Sequence, residues 1–213
     1  MEQRNNIDKL LISNTIESLE KHFFEVIYCN NKTEALDKIV NIIHPNSSIG
    51  YGGSKTLEEI GFFNKFTIQN YPNLIDRKKP NITPEIKKEL QNKALTSDYF
   101  LCSANAISQT GELILIDKWG NRNAAMTYGP KKRIFVIGKN KIETDLHKAL
   151  NRAKNIASVL NNKRFETKNP CTKTGKCMDC ENSERLCSIT TIIHRCQPPK
   201  SIIVILINEN LGF

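Results

Sequence analysis

Ser48-Ile49-Gly50-Tyr51-Gly52-Gly53-Ser54-Lys55-Thr56-Leu57 reads as a short buried strand, a glycine turn and the start of a helix. Glycines let a backbone approach a ligand closely, and Ser54 is placed to cap the helix behind the turn. Such a turn suits a phosphate or a carboxylate, with Lys55 and Thr56 adding donors. It has neither the Walker nor the GxGxxG spacing. Taken alone, an ordinary strand-to-helix turn explains it equally well.

Outward from this turn the chain alternates helix and strand. Ile7, Leu10, Leu11 and Leu19 mark an opening amphipathic helix, followed by an apolar run over 23–28. Thr33 is placed to cap a second helix that Pro45 stops, and Thr83-Pro84-Glu85 is a further helix start. Strands are expected at 99–102, 112–116 and 133–137, a long helix over 142–160, and strands at 189–194 and 202–207. Continuous β-branched runs with helices between them predict an α/β fold built on a largely parallel, layered sheet covered on both faces.

The length of 213 residues fits a single domain over 1–213, interrupted at 164–187 by a polar, cysteine-rich excursion. A chain this long buries between about two-thirds and three-quarters of its unfolded surface, so the cysteines are not needed as staples. The longest apolar runs, such as Ile202–Ile207, are far short of the roughly 20 residues of a membrane helix. No signal layout opens the chain, and the expected location is cytoplasmic. The formal charge of +9 is spread along the chain, and its densest runs, Arg77-Lys78-Lys79 and Lys131-Lys132-Arg133, lack interleaved aromatics. That pattern argues against nucleic acid and leaves room for a small anionic ligand.

Cys171-x5-Cys177-x2-Cys180-x6-Cys187 places four thiols within 17 residues. Thiolates are the soft ligands preferred by zinc and by iron in clusters, and a cytosolic setting disfavours disulfides. Lys173, Lys176 and Arg185 are at hand to offset the charge of four thiolates. The spacing matches neither the bacterial ferredoxin run nor the paired knuckles of a zinc ribbon. An iron–sulfur cluster, [4Fe–4S], is favoured over the alternative, a structural zinc site. Cys29 and Cys102 end apolar runs and read as buried small hydrophobes. Cys196 is at most a spare ligand, and His194 reads as a core histidine.

In a parallel sheet, the segments 103–112 and 117–122 lie at strand ends, where open α/β sheets bind ligands. Asn105, Glu112, Asp117 and Arg122 then become polar site candidates, with ordinary loop chemistry an equal account of them. The chain resembles the LUD-domain family associated with lactate utilisation, which includes the LutC/YkgG proteins. The likeness is carried by Gly52-Gly53-Ser54-Lys55-Thr56-Leu57-Glu58-Glu59-Ile60-Gly61, Ser103-Ala104-Asn105-Ala106-Ile107, Thr110-Gly111-Glu112 and Asp117. It continues through Gly120-Asn121-Arg122, Gly129-Pro130-Lys131 and Gly138-Lys139-Asn140-Lys141-Ile142.

The resemblance implies a Rossmann-like layered fold of the NagB/RpiA/CoA-transferase kind and a role near lactate oxidation beside iron–sulfur partners. It implies a ligand set of Gly52, Gly53, Ser54, Thr56, Asn105, Asn121 and Arg122, and it ties no reaction to the domain alone. One reading is thus an iron–sulfur redox or accessory protein linked to 2-hydroxy acid oxidation, binding a small carboxylate or phosphate. The alternative is a sugar-phosphate isomerase or acyl-transfer enzyme with a structural zinc loop, for which Glu112, Asp117 and Lys141 are the catalytic candidates. A binding module without catalysis is the third reading.

Overall fold

A computed structural model describes residues 2–213, with side chains from Lys9 onward. The side chain of Ile7, counted above in the opening helix, lies outside the described residues. The chain runs α1 (Glu2–Lys21), β1 (Glu25–Cys29), α2 (Lys32–Ile42), β2 (Ile49–Tyr51), α3 (Lys55–Glu59), α4 (Phe62–Lys65) and α5 (Pro84–Ala94). It continues with β3 (Tyr99–Cys102), β4 (Ala106–Ser108), β5 (Leu113–Asp117), α6 (Asn121–Thr127), β6 (Lys132–Gly138) and β7 (Ile142–Glu143). After these come α7 (Leu146–Arg152), a π-helical turn (Ala153–Ala157), α8 (Ser158–Arg164), α9 (Cys171–Thr174), β8 (Ile189–Ile193) and β9 (Ile202–Ile207).

Five strands form a parallel sheet in the order β1-β9-β6-β3-β2. The central strands are apolar at nearly every position because both of their faces are covered. Phe135 and Ile137 of β6, with Val204 and Leu206 of β9, point into the cluster under α1 and α6. Ile134 and Val136, with Ile203 and Ile205, point the other way, toward α2, α3 and α4. Period-two alternation between two buried faces is what turns such strands into unbroken hydrophobic runs.

The sheet is not the whole β structure. A second sheet, β7-β4-β5-β8, is mostly antiparallel, and its strands β4 and β7 fall where a loop and a helix are expected from sequence. The long helix expected over 142–160 begins only at Leu146, because Ile142–Glu143 pairs with β4 and Asp145 caps the helix by accepting from the Lys148 amide. Leu113 and Leu115 of β5 join the larger core, while Ile114 and Ile116 pack on Ala149 and Ala153. The second helix is capped by Asn31, whose side chain accepts from the Glu34 amide, and not by Thr33. Among the described residues no helix is long and apolar enough to cross a membrane.

Candidate functional site

Parallel strands deliver their C-terminal ends to one edge, so the loops that follow them meet there. Thr56 comes after β2, Ser103 after β3, Lys141 after β6 and Leu211 after β9, and these are neighbouring strands in the sheet. Lys141 Nζ lies in hydrogen-bond range of Ser103 Oγ at 2.8 Å, Thr56 Oγ1 at 3.0 Å and the Ala104 carbonyl at 3.2 Å. The residue is 3% exposed. Burial, then the nearby cations Arg152 and Arg122, push its pKa down from 10.5 to about 7, with Cys102 and Glu59 acting weakly in the other direction. The segment after β9 closes one side, with the Gly212 amide donating to Glu59 at 2.6 Å.

Arg122 holds the opposite side. It donates to the Ile116 carbonyl, to Asn105 Oδ1 at 3.2 Å and to the Gly53 carbonyl at 3.4 Å. Its Nε is buried and has no hydrogen-bond partner among the described residues. Asn105 Oδ1 also accepts from the Ile116 amide at 2.9 Å, so its orientation is fixed by the sheet. Gly52 is required by close approach: a Cβ there would lie 2.9 Å from both Arg122 Cδ and Cys102 Cβ.

Two cavities meet at Arg122. The inner one, about 40 Å³, is bordered by Ser54, Lys55, Ser103, Asn105, Arg122, Lys141, Arg164 and Phe213, the last residue of the sequence, with no Asp or Glu on its wall. The outer one, about 430 Å³, is bordered by Arg77, Lys78, Lys87, Lys118, Arg122 and Arg164 against the single carboxylate Asp117, with Trp119 and Phe165 at its sides. At the rim Glu58 pairs with Arg164 at 2.7 Å, Lys78 at 3.3 Å and Lys55 at 3.5 Å. Arg77, Arg122 and Lys141 have no such ion pair among the described residues.

Gly53, Ser54, Asn105, Asn121, Arg122, Asp117 and Lys141 all border one or other cavity. Thr56 is buried just behind, bonded to Lys141, and the Gly52 amide is already spent on the Leu101 carbonyl at 2.8 Å. Ser54 caps α3 by accepting from the Leu57 amide, but that helix has five residues, so the positive character comes from side chains rather than from a long helix dipole. The Asp117 carboxylate accepts the Lys118 and Arg122 amides, each at 3.0 Å. Glu112 borders neither cavity. Burial raises its pKa, but hydrogen bonds from Ser108 and Thr110 outweigh this and lower it.

Arg77 and Arg164 border the outer cavity without being among the residues that the sequence marks for the site. The Arg77-Lys78-Lys79 run is the signal for the first, and in sequence it resembles ordinary surface charge.

The cysteine segment borders the outer cavity through Leu186, with Phe165 on its near side. Arg185 spans it, donating to the Cys180 and Cys187 carbonyls at 2.8 and 3.0 Å and to Asp179 at 2.6 Å. Buried Asn169 donates to Asn162 Oδ1 at 2.6 Å and to the Glu184 carbonyl at 3.1 Å. All seven cysteines are free thiols. Burial, then the nearness of Cys180, Cys187 and Cys177, raises the pKa of Cys171. Among the described residues no three His, Cys, Asp or Glu side chains are arranged as a ready metal site.

Cys29 and Cys102 are fully buried, their thiols pushed up to about 11 and about 12 chiefly by desolvation. Cys196 is buried too, its sulfur accepting from the Ile202 amide at 3.3 Å. His194 corrects the sequence reading: it is exposed, 3.9 Å from Glu112.

The model of the LUD domain matches residues 12–207. The chain belongs to the LUD-domain family. Its fold is similar to the crystal structure of a DUF162 family protein from Deinococcus radiodurans, with a TM-score of 0.55 at 10% identity. That likeness covers 94% of this chain and 97% of the other. No curated protein matches the chain. In this LUD domain the cationic edge of the parallel sheet and the cysteine segment border one cleft.

Proposed function

We propose that this LUD-domain protein binds a short anionic acid at Arg122 and is an iron–sulfur redox or accessory protein of 2-hydroxy acid oxidation. The observation that carries the binding half is the cationic lining of the two joined cavities, where Arg122 lies among Arg77, Arg164 and Lys141 and the single carboxylate side chain is Asp117. A carboxylate or phosphate at that junction would supply the counter-charge that Arg122 lacks.

The redox half rests on donor chemistry. Four free thiols lie within 17 residues, one of them raised by burial and then by the nearness of the other three, and although they are not arranged as a ready metal site they are the soft donors that iron in clusters takes. Cys171, Cys177, Cys180 and Cys187 would hold a [4Fe–4S] cluster, which supplies one-electron chemistry when bound. Leu186, adjacent to Cys187, borders the anion cleft and gives the two halves a shared wall. The isomerase or acyl-transfer alternative needs a free carboxylate at the glycine turn. Glu112 borders neither cavity, and Asp117 borders only the outer one whereas Lys141 borders only the inner one.

Anaerobic purification followed by iron, sulfide and zinc analysis with a visible spectrum tests the redox half. Colour with iron and sulfide in equal amounts is expected, whereas colourless protein carrying one zinc replaces the cluster with a structural ion. Calorimetry with lactate and with inorganic phosphate tests the anion half. Binding is expected to weaken at least tenfold in Arg122→Ala, and absence of binding by either anion ends the reading.

A further inference from the structure

Lys141 is an unusual lysine to bury. It lines the inner cavity, its nitrogen meets only neutral oxygens, and among the described residues it forms no ion pair. Arg152 of α7 and Arg122 of α6 disfavour its protonated form, and Glu59 of α3 acts more weakly in the other direction. A lysine desolvated beside other cations presents a neutral, nucleophilic amine, whereas a surface lysine stays protonated.

We propose that Lys141 is a carbonyl-capturing amine that condenses with the 2-carbonyl of a short 2-oxo acid in the inner cavity. The size of the cavity and its lining select that class. About 40 Å³ is several times the roughly 10–15 Å³ that one water needs, which suits a compact ligand. Arg122 on the same wall, which forms no ion pair among the described residues, calls for a carboxylate, and the amine calls for an electrophilic carbon close to it. A 2-oxo acid carries both groups on adjacent carbons. The inference rests on the reading that this cavity takes a carboxylate.

The step balances without any oxidant. The lone pair of Nζ forms a bond to the carbonyl carbon as the C–O π bond breaks, and the oxygen takes a proton to give a carbinolamine. Loss of that hydroxyl with a second proton, as water, leaves an imine. Ser103 Oγ, 2.8 Å from Nζ, is placed to pass the proton from nitrogen to oxygen. Thr56 Oγ1 at 3.0 Å holds the amine on the other side.

The test is reductive trapping. The full chain is incubated with pyruvate and sodium cyanoborohydride, then digested and mapped by mass spectrometry, with pyruvate binding measured in parallel by calorimetry. The expected result is a reduced adduct at Lys141 at least tenfold above that at any exposed lysine. Excess lactate, which has the carboxylate but no carbonyl, should suppress it. Lys141→Arg should lose the adduct, and the wild-type map decides the matter even if that variant does not fold. Pyruvate that binds but leaves adducts spread over surface lysines overturns the amine and spares the anion site. Absence of binding by both pyruvate and lactate overturns the carboxylate reading, and the amine proposal with it.

Discussion

Lys141 and Thr56, 85 positions apart, meet with Nζ 3.0 Å from Oγ1, tying the loop after β6 to the helix behind the glycine turn. Thr56→Val keeps the shape and removes the acceptor. It is expected to cost about 1–3 kcal/mol in urea denaturation, because a buried donor loses its partner. Thr56→Ser should recover most of that.

Lys141 also makes stability depend on pH in a direction opposite to that of an ion-paired lysine. Its pKa falls from 10.5 to about 7 on folding, so between those values the unfolded chain binds the extra proton. Stability therefore rises with pH across that window, by at most about 1.4 kcal/mol per pH unit, and the penalty is full and constant below it. The difference between wild type and Lys141→Met, followed by denaturation from pH 6 to pH 9, should be flat at first and then move in favour of the wild type. A difference that does not change with pH would show that the amine stays protonated in the fold.

Gly52→Ala places a methyl 2.9 Å from Cys102 Cβ and Arg122 Cδ. Arg122 must shift, since the Cys102 Cβ is set by its strand. The variant should lose about 1–3 kcal/mol of stability and at least tenfold in anion affinity, read by thermal melts and calorimetry. Gly53→Ala, whose Cβ would meet Arg77 Nη2 at an ordinary 3.4 Å, should change neither by much.

Replacing Cys29 and Cys102 together by alanine should leave the metal content unchanged while lowering the melting temperature, since both are buried in the sheet's own cores. Alanine at Cys171, Cys177, Cys180 or Cys187 should do the reverse: less metal, faster proteolysis within 164–187, and a sheet that still melts cooperatively. Metal lost from the first variant while its fold persists would reassign the ligands.

The parts of the fold that could be read from the sequence were those with one physical solution. Ile202–Ile207 and Tyr99–Cys102 are found where the sequence places them, because an unbroken apolar run of four to six residues bounded by polar chain fits a strand buried on both faces. β4 and β7 have three and two residues, too few to show any period, and so the second sheet stayed hidden. Glu112 illustrates the same limit at the site. Its position near a strand start was visible, but its hairpin turns it onto Ser108 and Thr110, away from the cavities. Arg77 and Arg164 could not be distinguished from solvated surface charge, because a side chain's neighbours across the fold leave no mark on local spacing. Asn105 and Arg122 could be named from sequence because they lie in turns at strand ends, where open α/β sheets bind ligands, and the family motif contains them as well.

The π-helical turn at Ala153–Ala157 joins α7 to α8. Before it, Arg152 donates to the Asn105 and Asn140 carbonyls, and from its last residue onward Ala157, Asn161 and Arg164 face the inner cavity. A π turn takes up one extra residue within a single, wider turn of helix, so the segments on either side keep the phase of one continuous α-helix. Deleting one codon within that turn would leave an ordinary helix with Arg164 and the entry to the cysteine segment still facing the cleft. Deleting two would instead rotate everything after the turn by roughly 100° and carry Arg164 off the wall. In reading-frame terms, this short stretch should tolerate the loss of one codon that its flanking helices would not.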